Sequence, residues 1–228
     1  MDTEVSRENP VRVGLIGGTG PEGRGLALRW AMAGARVTVG SRLVDRAQVT
    51  AAELNRILGE DRIVPGGNHT AISESEIVLL TVPFNHAAST LEAHAGDFDE
   101  NSILIDTTVP VTFEAGRARY VELPEGSASE HLRKRLPEAI PLVAAFKTIP
   151  AHLLEDPNEP LDCDDFVASD SGDAKKRVIE AMSTMSGLRP IDAGALESAR
   201  TIERMTVLAI GINRRNKIKT ARFRVAGL

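Results

Sequence analysis

One cysteine, one tryptophan, one tyrosine and six phenylalanines are all that this 228-residue chain holds of those residue types. A lone Cys163 excludes an intramolecular disulfide and cannot by itself build a thiolate metal site. It reads as a small apolar filler near the end of a strand. With aromatics at 4 %, the core must be built from Ala, Val, Leu and Ile, which suits a parallel sheet covered by helices. An excess of basic residues is also missing. Lys and Arg number 27 against 32 Asp and Glu, for a net charge of −5, so the electrostatic footprint of a nucleic-acid binder is absent. No apolar run approaches the length of a bilayer span. The opening MDTEVSREN is polar and lacks an apolar signal core, giving the expectation of a cytoplasmic protein. HExxH, CxxC, a nucleophile elbow and any cluster at metal-ligand spacing are lacking too, so no metal is expected. Asp162, Asp164 and Asp165 lack the glycine and glutamate of a calcium loop and read as a solvated acidic face.

What is present alternates strand with helix. After a flexible tail over residues 1–10, residues 11–17 (VRVGLIG) form an apolar strand run, and residues 23–34 a helix stopped by Gly34. Residues 35–40 read as a second strand and 45–58 as an amphipathic helix with Ala47, Ala51, Leu54 and Leu58 on one face. RIVPGGNH reads as a short connection. EIVLLTVP (76–83) is a buried strand, 84–95 a helix, 102–110 another strand, and IPLVAAF (140–146) one more after a polar, basic connection. This order predicts parallel pairing by right-handed crossovers. Beyond Phe146, EDPNEPLDCDD reads as a linker or surface loop. It is followed by a helix over 172–185, a short strand over 188–194 and a long helix over 195–213. The expected fold is α/β: a Rossmann-type doubly wound parallel sheet over 11–146 and a smaller C-terminal α/β domain over 147–228.

The first strand runs into GLIGGTGPEGRG, in which Gly18-Thr19-Gly20-Pro21-Glu22-Gly23 fits GxGxxG. Strand before and helix after give the pattern its meaning. Gly18 is expected to allow the tight turn, Gly20 the close approach of a pyrophosphate to backbone amides, and Gly23 close packing of helix on strand. After the second strand, where an NAD site carries an acid for the ribose hydroxyls, the chain has Ser41-Arg42, with Arg46 one helical turn on. An acid would repel a 2′-phosphate, whereas Ser and Arg donate hydrogen bonds to it. NADP is therefore the expected nucleotide.

In open α/β sheets ligands rest beyond the carboxyl ends of the strands. Those ends hold Val82, Pro83 and Phe84, then Thr108, Val109 and Pro110, then Lys147, Thr148, Ile149 and Pro150. His86 reads as a cap or ribose contact with a lesser role in acid–base chemistry. Lys147 either binds an oxygen of a second ligand or snorkels to solvent. No other acid–base machinery stands out, and hydride transfer needs mainly alignment and exclusion of water.

GGTGPEGRGLALR, VTVGSR, LTVPF, DTTVPV, AAFKTIPA, GLRPIDAGALESAR and the tail INRRNKIKTARFRVAGL occur in one order from Val11 to Leu228. In that combination the chain resembles the NADPH-dependent F420 reductases. The resemblance implies hydride exchange between NADP(H) and the deazaflavin coenzyme F420. It places NADP on Thr19, Gly20, Pro21, Glu22, Ser41, Arg42 and Arg46, and the deazaflavin near Val109, Pro110 and residues 147–150. It further implies a homodimer, for which the apolar face of residues 195–213 offers an interface. Lys147 stands where relatives often have His or Asn. The basic residues Arg214, Arg215, Lys217, Lys219, Arg222 and Arg224 read either as a patch attracting the anionic coenzyme or as helix-end charge followed by a solvated edge strand. Two other functions stay open: an NADPH-dependent reductase of a flavin, imine or small carbonyl compound, and a non-catalytic NADP-sensing protein.

Overall fold

The computed structural model describes residues 10–228; the expected tail over residues 1–10 lies, except for Pro10, outside them. The chain opens with β1 (Arg12–Ile16), α1 (Pro21–Met32), β2 (Arg36–Ser41), α2 (Val44–Leu58), β3 (Ile63–Gly67) and α3 (Asn68–Ser73). It continues through β4 (Ile77–Leu80), α4 (Phe84–His94) and β5 (Ile103–Asp106). A hairpin of β6 (Val111–Glu114) and β7 (Arg117–Tyr120) and the short α5 (Ala128–Arg133) precede β8 (Leu142–Ala144). The remainder is α6 (Ala151–Glu155), β9 (Cys163–Val167), α7 (Gly172–Met182), β10 (Leu188–Asp192) and α8 (Ala199–Asn216).

Six strands form one parallel sheet in the order β3-β2-β1-β4-β5-β8. The order reverses between β1 and β4, where a crevice opens at the carboxyl ends of a doubly wound sheet. Alternation along the strands divides the core into two layers. Val13, Leu15, Leu79 and Ile105 face one, and Ile16, Leu80, Leu104 and Leu142 the other. The first layer continues through Phe146, Ile149 and Leu153 to Val178 and Leu188, so buried apolar contact runs across residue 146 without a break. β9 and β10 form a parallel pair, tied to β8 by an antiparallel bridge between Ala144 and Ala168. Among the described residues no helix is long and apolar enough to cross a membrane.

Four local expectations are corrected. The supposed connection RIVPGGNH contains β3 and the start of α3. The polar stretch before β8 contains the hairpin and α5. Residues 156–162 form a surface loop, as one of the two expected alternatives had it, and not a free linker: Glu155 belongs to α6 and residues 163–165 to β9. The Arg29 guanidinium, on a residue only 4 % exposed, donates to the carbonyls of Leu153, Leu154, Asp156 and Glu159. Arg29 thereby satisfies the open carbonyl end of α6 and pins the acidic stretch. The solvated acidic face is likewise absent: Asp164 and Asp165 are buried on β9, and Asp164 receives a bidentate pair of hydrogen bonds from Arg189 at 2.8 and 2.7 Å.

The tail is irregular rather than an edge strand. It lies along β9, with Asp164 N donating to Phe223 O at 2.9 Å and Val225 N to the Asp164 carboxylate at 2.5 Å. Arg222 and Arg224 pair with Asp162, and Arg214 donates to Gly116 O. Arg215, Lys217 and Lys219 remain exposed. Cys163, at the start rather than the end of its strand, is 1 % exposed. Burial, with Asp165 and Asp164 opposing the thiolate, pushes its thiol up to about 12.

Candidate nucleotide and second-ligand sites

The loop between β1 and α1 turns on Gly17, whose φ of +74° favours glycine; this position, rather than Gly18, makes the tight turn. Gly18 is needed for packing, since a Cβ there would lie 2.9 Å from Leu15 Cβ and 3.2 Å from Val39 Cγ1. A Cβ on Gly23 would sit 2.6 Å from Gly18 Cα and 2.9 Å from Thr81 Oγ1, so this glycine seats α1 against the loop. Gly20 differs: among the described residues nothing lies within 4 Å of where its Cβ would stand. It is the N-cap of α1, Pro21 follows, and no side chain caps the helix. Open backbone at an uncapped helix N-terminus is where an anion gains most from amides and helix dipole.

The register Leu15 to Val39 puts the end of β2 beside this loop. Ser41 is buried and its Oγ accepts from Leu43 N at 3.2 Å. Arg42 and Arg46 are exposed, and among the described residues neither has an ion-pair partner. Asn68 was not anticipated. It follows β3 directly, is 5 % exposed, and its Oδ1 accepts from Gly17 N at 3.3 Å. The sequence signal was the Gly-Gly-Asn run itself, a strand end meeting a helix start.

On the far side of β1, Val82, Pro83 and Phe84 lead into α4, with Pro83 exposed and Phe84 half-buried. Phe84 meets the His131 ring at 5.9 Å. His86 is exposed in the first turn of α4. After β5, both the amide and the hydroxyl of Thr108 donate to Asp106 Oδ1, at 2.9 and 2.7 Å. Val109 is half-buried and Pro110 buried.

Lys147 does not snorkel. Phe146 before it adopts a left-handed backbone, φ +59°, at a cost of about 1–3 kcal/mol for a residue other than glycine. Its amide is held by Asp165 Oδ2 at 2.6 Å. Beyond this bend the Lys147 ammonium is fully enclosed, 2.7 Å from Asp106 Oδ2, 3.2 Å from Glu203 Oε1 and 2.5 Å from Thr108 O. Glu203 Oε2 accepts from Tyr120 OH and Ala128 N, both at 2.9 Å. Ser129 Oγ donates to Asp106 Oδ2 at 2.6 Å. Burial alone would lower the Lys147 pKa; the Asp106 and Glu203 carboxylates overcome this and raise it. In this structure the ammonium therefore braces the site from within.

Residues 148–150 do reach a cavity. With His152 they form one wall of a groove of about 290 Å³, whose other wall is Thr206, Ala209, Ile210 and Asn213 of α8 and whose rim includes Ile218 and Lys219. Thr148 Oγ1 is buried there without a hydrogen-bond partner among the described residues. Val109 and Pro110 do not line this groove.

Two carboxyls near the site are strongly shifted. Burial raises Glu22 to about 7, against the lowering influence of nearby Thr107 and of the Lys147 charge; the Thr107 hydroxyl itself donates to Leu80 O at 2.9 Å. Burial raises Asp165 to about 7 despite its backbone hydrogen bonds. An acid whose folded pKa lies above its unfolded value contributes stability at low pH that is lost as pH rises through the folded pKa. The melting temperature is therefore expected to fall between about pH 5 and about pH 8, where ordinary carboxyls no longer titrate. In Asp165→Asn the fall should be clearly smaller, as thermal melts across that range will show. An unchanged slope would remove Asp165 as the cause.

The reversal of strand order, the open glycine loop and the acid-free end of β2 define a dinucleotide-binding protein of the Rossmann class, with the features of an NADP site. Comparison with known proteins narrows this. Residues 12–110 match the family described as NADP oxidoreductase, coenzyme F420-dependent. The chain is 40 % identical to the F420-dependent NADP reductase of Methanothermobacter thermautotrophicus, over 96 % of each chain. It is 38 % identical to that of Methanothermobacter marburgensis, over 96 % of this chain and 99 % of the relative. A crystal structure of a candidate F420-dependent NADP reductase from Arthrobacter sp. FB24 superposes with a TM-score of 0.80 at 22 % identity, over 96 % of this chain and 100 % of that one. An imine reductase from Bacillus cereus shares the fold at a TM-score of 0.62 and 15 % identity, over 90 % of this chain and 62 % of that one. The chain belongs to the F420-dependent NADP reductase family.

Proposed function

We propose that this protein transfers a hydride between NADP(H) and coenzyme F420, with NADP on the β1–α1 loop and the deazaflavin in the groove beside α8. The observation that carries the nucleotide half is Gly20. Its open face stands at an uncapped helix N-terminus, beside exposed cations at the end of β2. Gly18, Thr19, Gly20, Pro21, Glu22 and Gly23 would surround the pyrophosphate, and Ser41, Arg42 and Arg46 the 2′-phosphate. Val82, Pro83, Phe84, Thr108, Val109 and Pro110 would flank the ring end. Groove residues Thr148, Ile149 and Pro150 fit a flat, largely apolar ring system, the free Thr148 hydroxyl offering it one hydrogen bond. Lys219 at the rim suits an anionic tail.

When bound, the two coenzymes supply the redox chemistry. The chain's own work is alignment and exclusion of water. Lys147, Asp106 and Glu203 hold the turn after β5 and helix α8 at a fixed separation, so the walls meeting the two rings keep their spacing. No side chain has to change protonation for the hydride itself to move. The proposal includes a homodimer through α8, on which Leu208 is 56 % and Ile212 36 % exposed. It also includes a cytoplasmic location, in keeping with a single, buried, free thiol.

Purified protein mixed with NADPH and oxidised F420 should bleach the deazaflavin absorbance with multiple turnovers. No bleaching at any pH from mildly acidic to alkaline would refute the reading.

A further inference from the structure

Helix α1 touches both ends of the segment that lines the groove. At the start of that segment the Trp30 ring meets the Phe146 ring nearly edge-on at 6.1 Å, just before Lys147 turns inward. At its end Gly25 lies against α6: a Cβ there would stand 2.4 Å from Leu154 Cβ and 3.0 Å from Glu155 N. One turn further along α1, Arg29 donates through Nε to Leu154 O at 3.1 Å. Through Nη2 it donates to Leu153 O, Asp156 O and Glu159 O at 2.8, 2.5 and 2.7 Å. All four acceptors are main-chain carbonyls, so what the guanidinium holds is backbone. Between these two attachments run Thr148, Ile149, Pro150 and His152, the near wall of the groove.

We propose that Arg29 is a positioning residue for hydride transfer: it fastens the near wall of the groove to the helix that carries the nucleotide, and so sets the separation of the two coenzymes. The inference rests on the coenzyme placement given above. Helix α1 begins at Gly20, where the pyrophosphate is placed, and Arg29 lies about 13 Å along the helix axis from there. The Lys147 cluster braces the far wall, α8, from the interior, and Arg29 braces the near wall from the opposite side. Without Arg29 the end of α6 and the loop after it are free to shift, since connecting segments are the mobile parts of a fold. Transfer between two rings is sensitive to such a shift, because a misplacement of about 1 Å costs up to about 100-fold in rate.

Arg29 is 4 % exposed and does not line the groove, so its replacement takes no contact from either coenzyme. Its effect on the reaction travels through α6 alone. A planar fork suits the task, because it reaches several carbonyls at once where the single ammonium of a lysine cannot. Gly25 gives a second route to the same interface. A methyl group there would wedge α6 away from α1 while every hydrogen-bonding group of Arg29 remains present.

The test uses the full chain as wild type, Arg29→Met, Arg29→Lys and Gly25→Ala. Isothermal titration gives Kd for NADP+ and for F420, and stopped-flow absorbance gives the single-turnover rate with both coenzymes saturating. In Arg29→Met and in Gly25→Ala the Kd for NADP+ should stay within about twofold of wild type, while the saturated rate falls about 10- to 100-fold. The Kd for F420 should rise roughly tenfold, because the loosened wall has to be ordered on binding. Arg29→Lys should lie between wild type and Arg29→Met. A saturated rate and an F420 Kd both within about twofold of wild type would overturn the inference while leaving the proposed function standing. Equal weakening of both coenzymes would also overturn it, since that marks a role in stability alone. A wild type that binds NADP+ but neither binds nor reduces F420 would overturn the proposed function, and this inference with it. Gly25→Ala leaves Arg29 in place and is scored by itself, so an Arg29 variant that fails to fold does not protect the proposal.

Discussion

Arg42→Ala should weaken NADPH binding about 30-fold and leave NADH binding within about twofold. The contrast follows from what the guanidinium would touch. Arg42 is exposed at the end of β2 and, among the described residues, has no carboxylate to hold it. Its removal therefore leaves the fold's own contacts in place. A charge-assisted hydrogen bond to a phosphate contributes about 2 kcal/mol, which is about 30-fold in a dissociation constant. NADH has no 2′-phosphate to lose. Titration with both nucleotides decides the point, and equal weakening would show that Ser41-Arg42 does not select the nucleotide. Lys is an informative replacement at this position, because a point charge cannot reproduce a planar fork.

The second large effect is on stability. Lys147→Met should lower the melting temperature by roughly 10 °C, since removing one member of a buried ion cluster costs about 3–5 kcal/mol and a chain this long shifts about 2–4 °C per kcal/mol. The damage is specific: Asp106 and Glu203 would be left facing each other in a sealed space. Adding Asp106→Asn and Glu203→Gln to Lys147→Met should recover most of the loss, because a neutral, hydrogen-bonded interior tolerates burial that a lone carboxylate does not. A melt of Lys147→Met within a degree or two of wild type would mean that the cluster contributes little. The raised Lys147 pKa sets the pH limit. Its contribution is complete below the ordinary lysine value and is lost only as pH rises through the raised one.

The parts of this protein visible in its sequence are those that local rules dictate. Leu79, Leu80, Ile103 and Ile105 lie in continuous apolar runs, and such runs mark strands covered on both faces. The glycine loop was legible because strand, glycines and helix follow one another directly. β3 was not, because Pro65, Gly66 and Gly67 are poor strand formers. An edge position tolerates them, and β3 is at the edge of the sheet. The β6–β7 hairpin turns on Ala115 and Gly116, both with positive φ, without the Asn-Gly or Asp-Gly pair that announces such a turn.

Asp164 and Asp165 show the deeper limit. Three aspartates in a Pro-rich stretch look solvated until Arg189, 25 positions away from Asp164, comes to meet one of them. Lys147 shows it again, since its partners come from β5 and α8. No local pattern states a pairing across 41 residues. The proposed nucleotide half of the site is assembled from neighbouring strand ends, so local patterns suffice to propose it. The interior beneath it is assembled from distant segments and could not be read.

Cys163 adds one more property to the molecule. A thiol held near 12 and closed off within β9 is almost wholly protonated at neutral pH, and the thiol form neither attacks disulfides nor reacts readily with peroxide. A folded chain handling hydride equivalents thus carries no reactive thiol that can be drawn into the electron flow. Two folded copies therefore do not become joined by a disulfide. The redox chemistry is left entirely to exchangeable coenzymes, and the protein emerges from each turnover chemically unchanged.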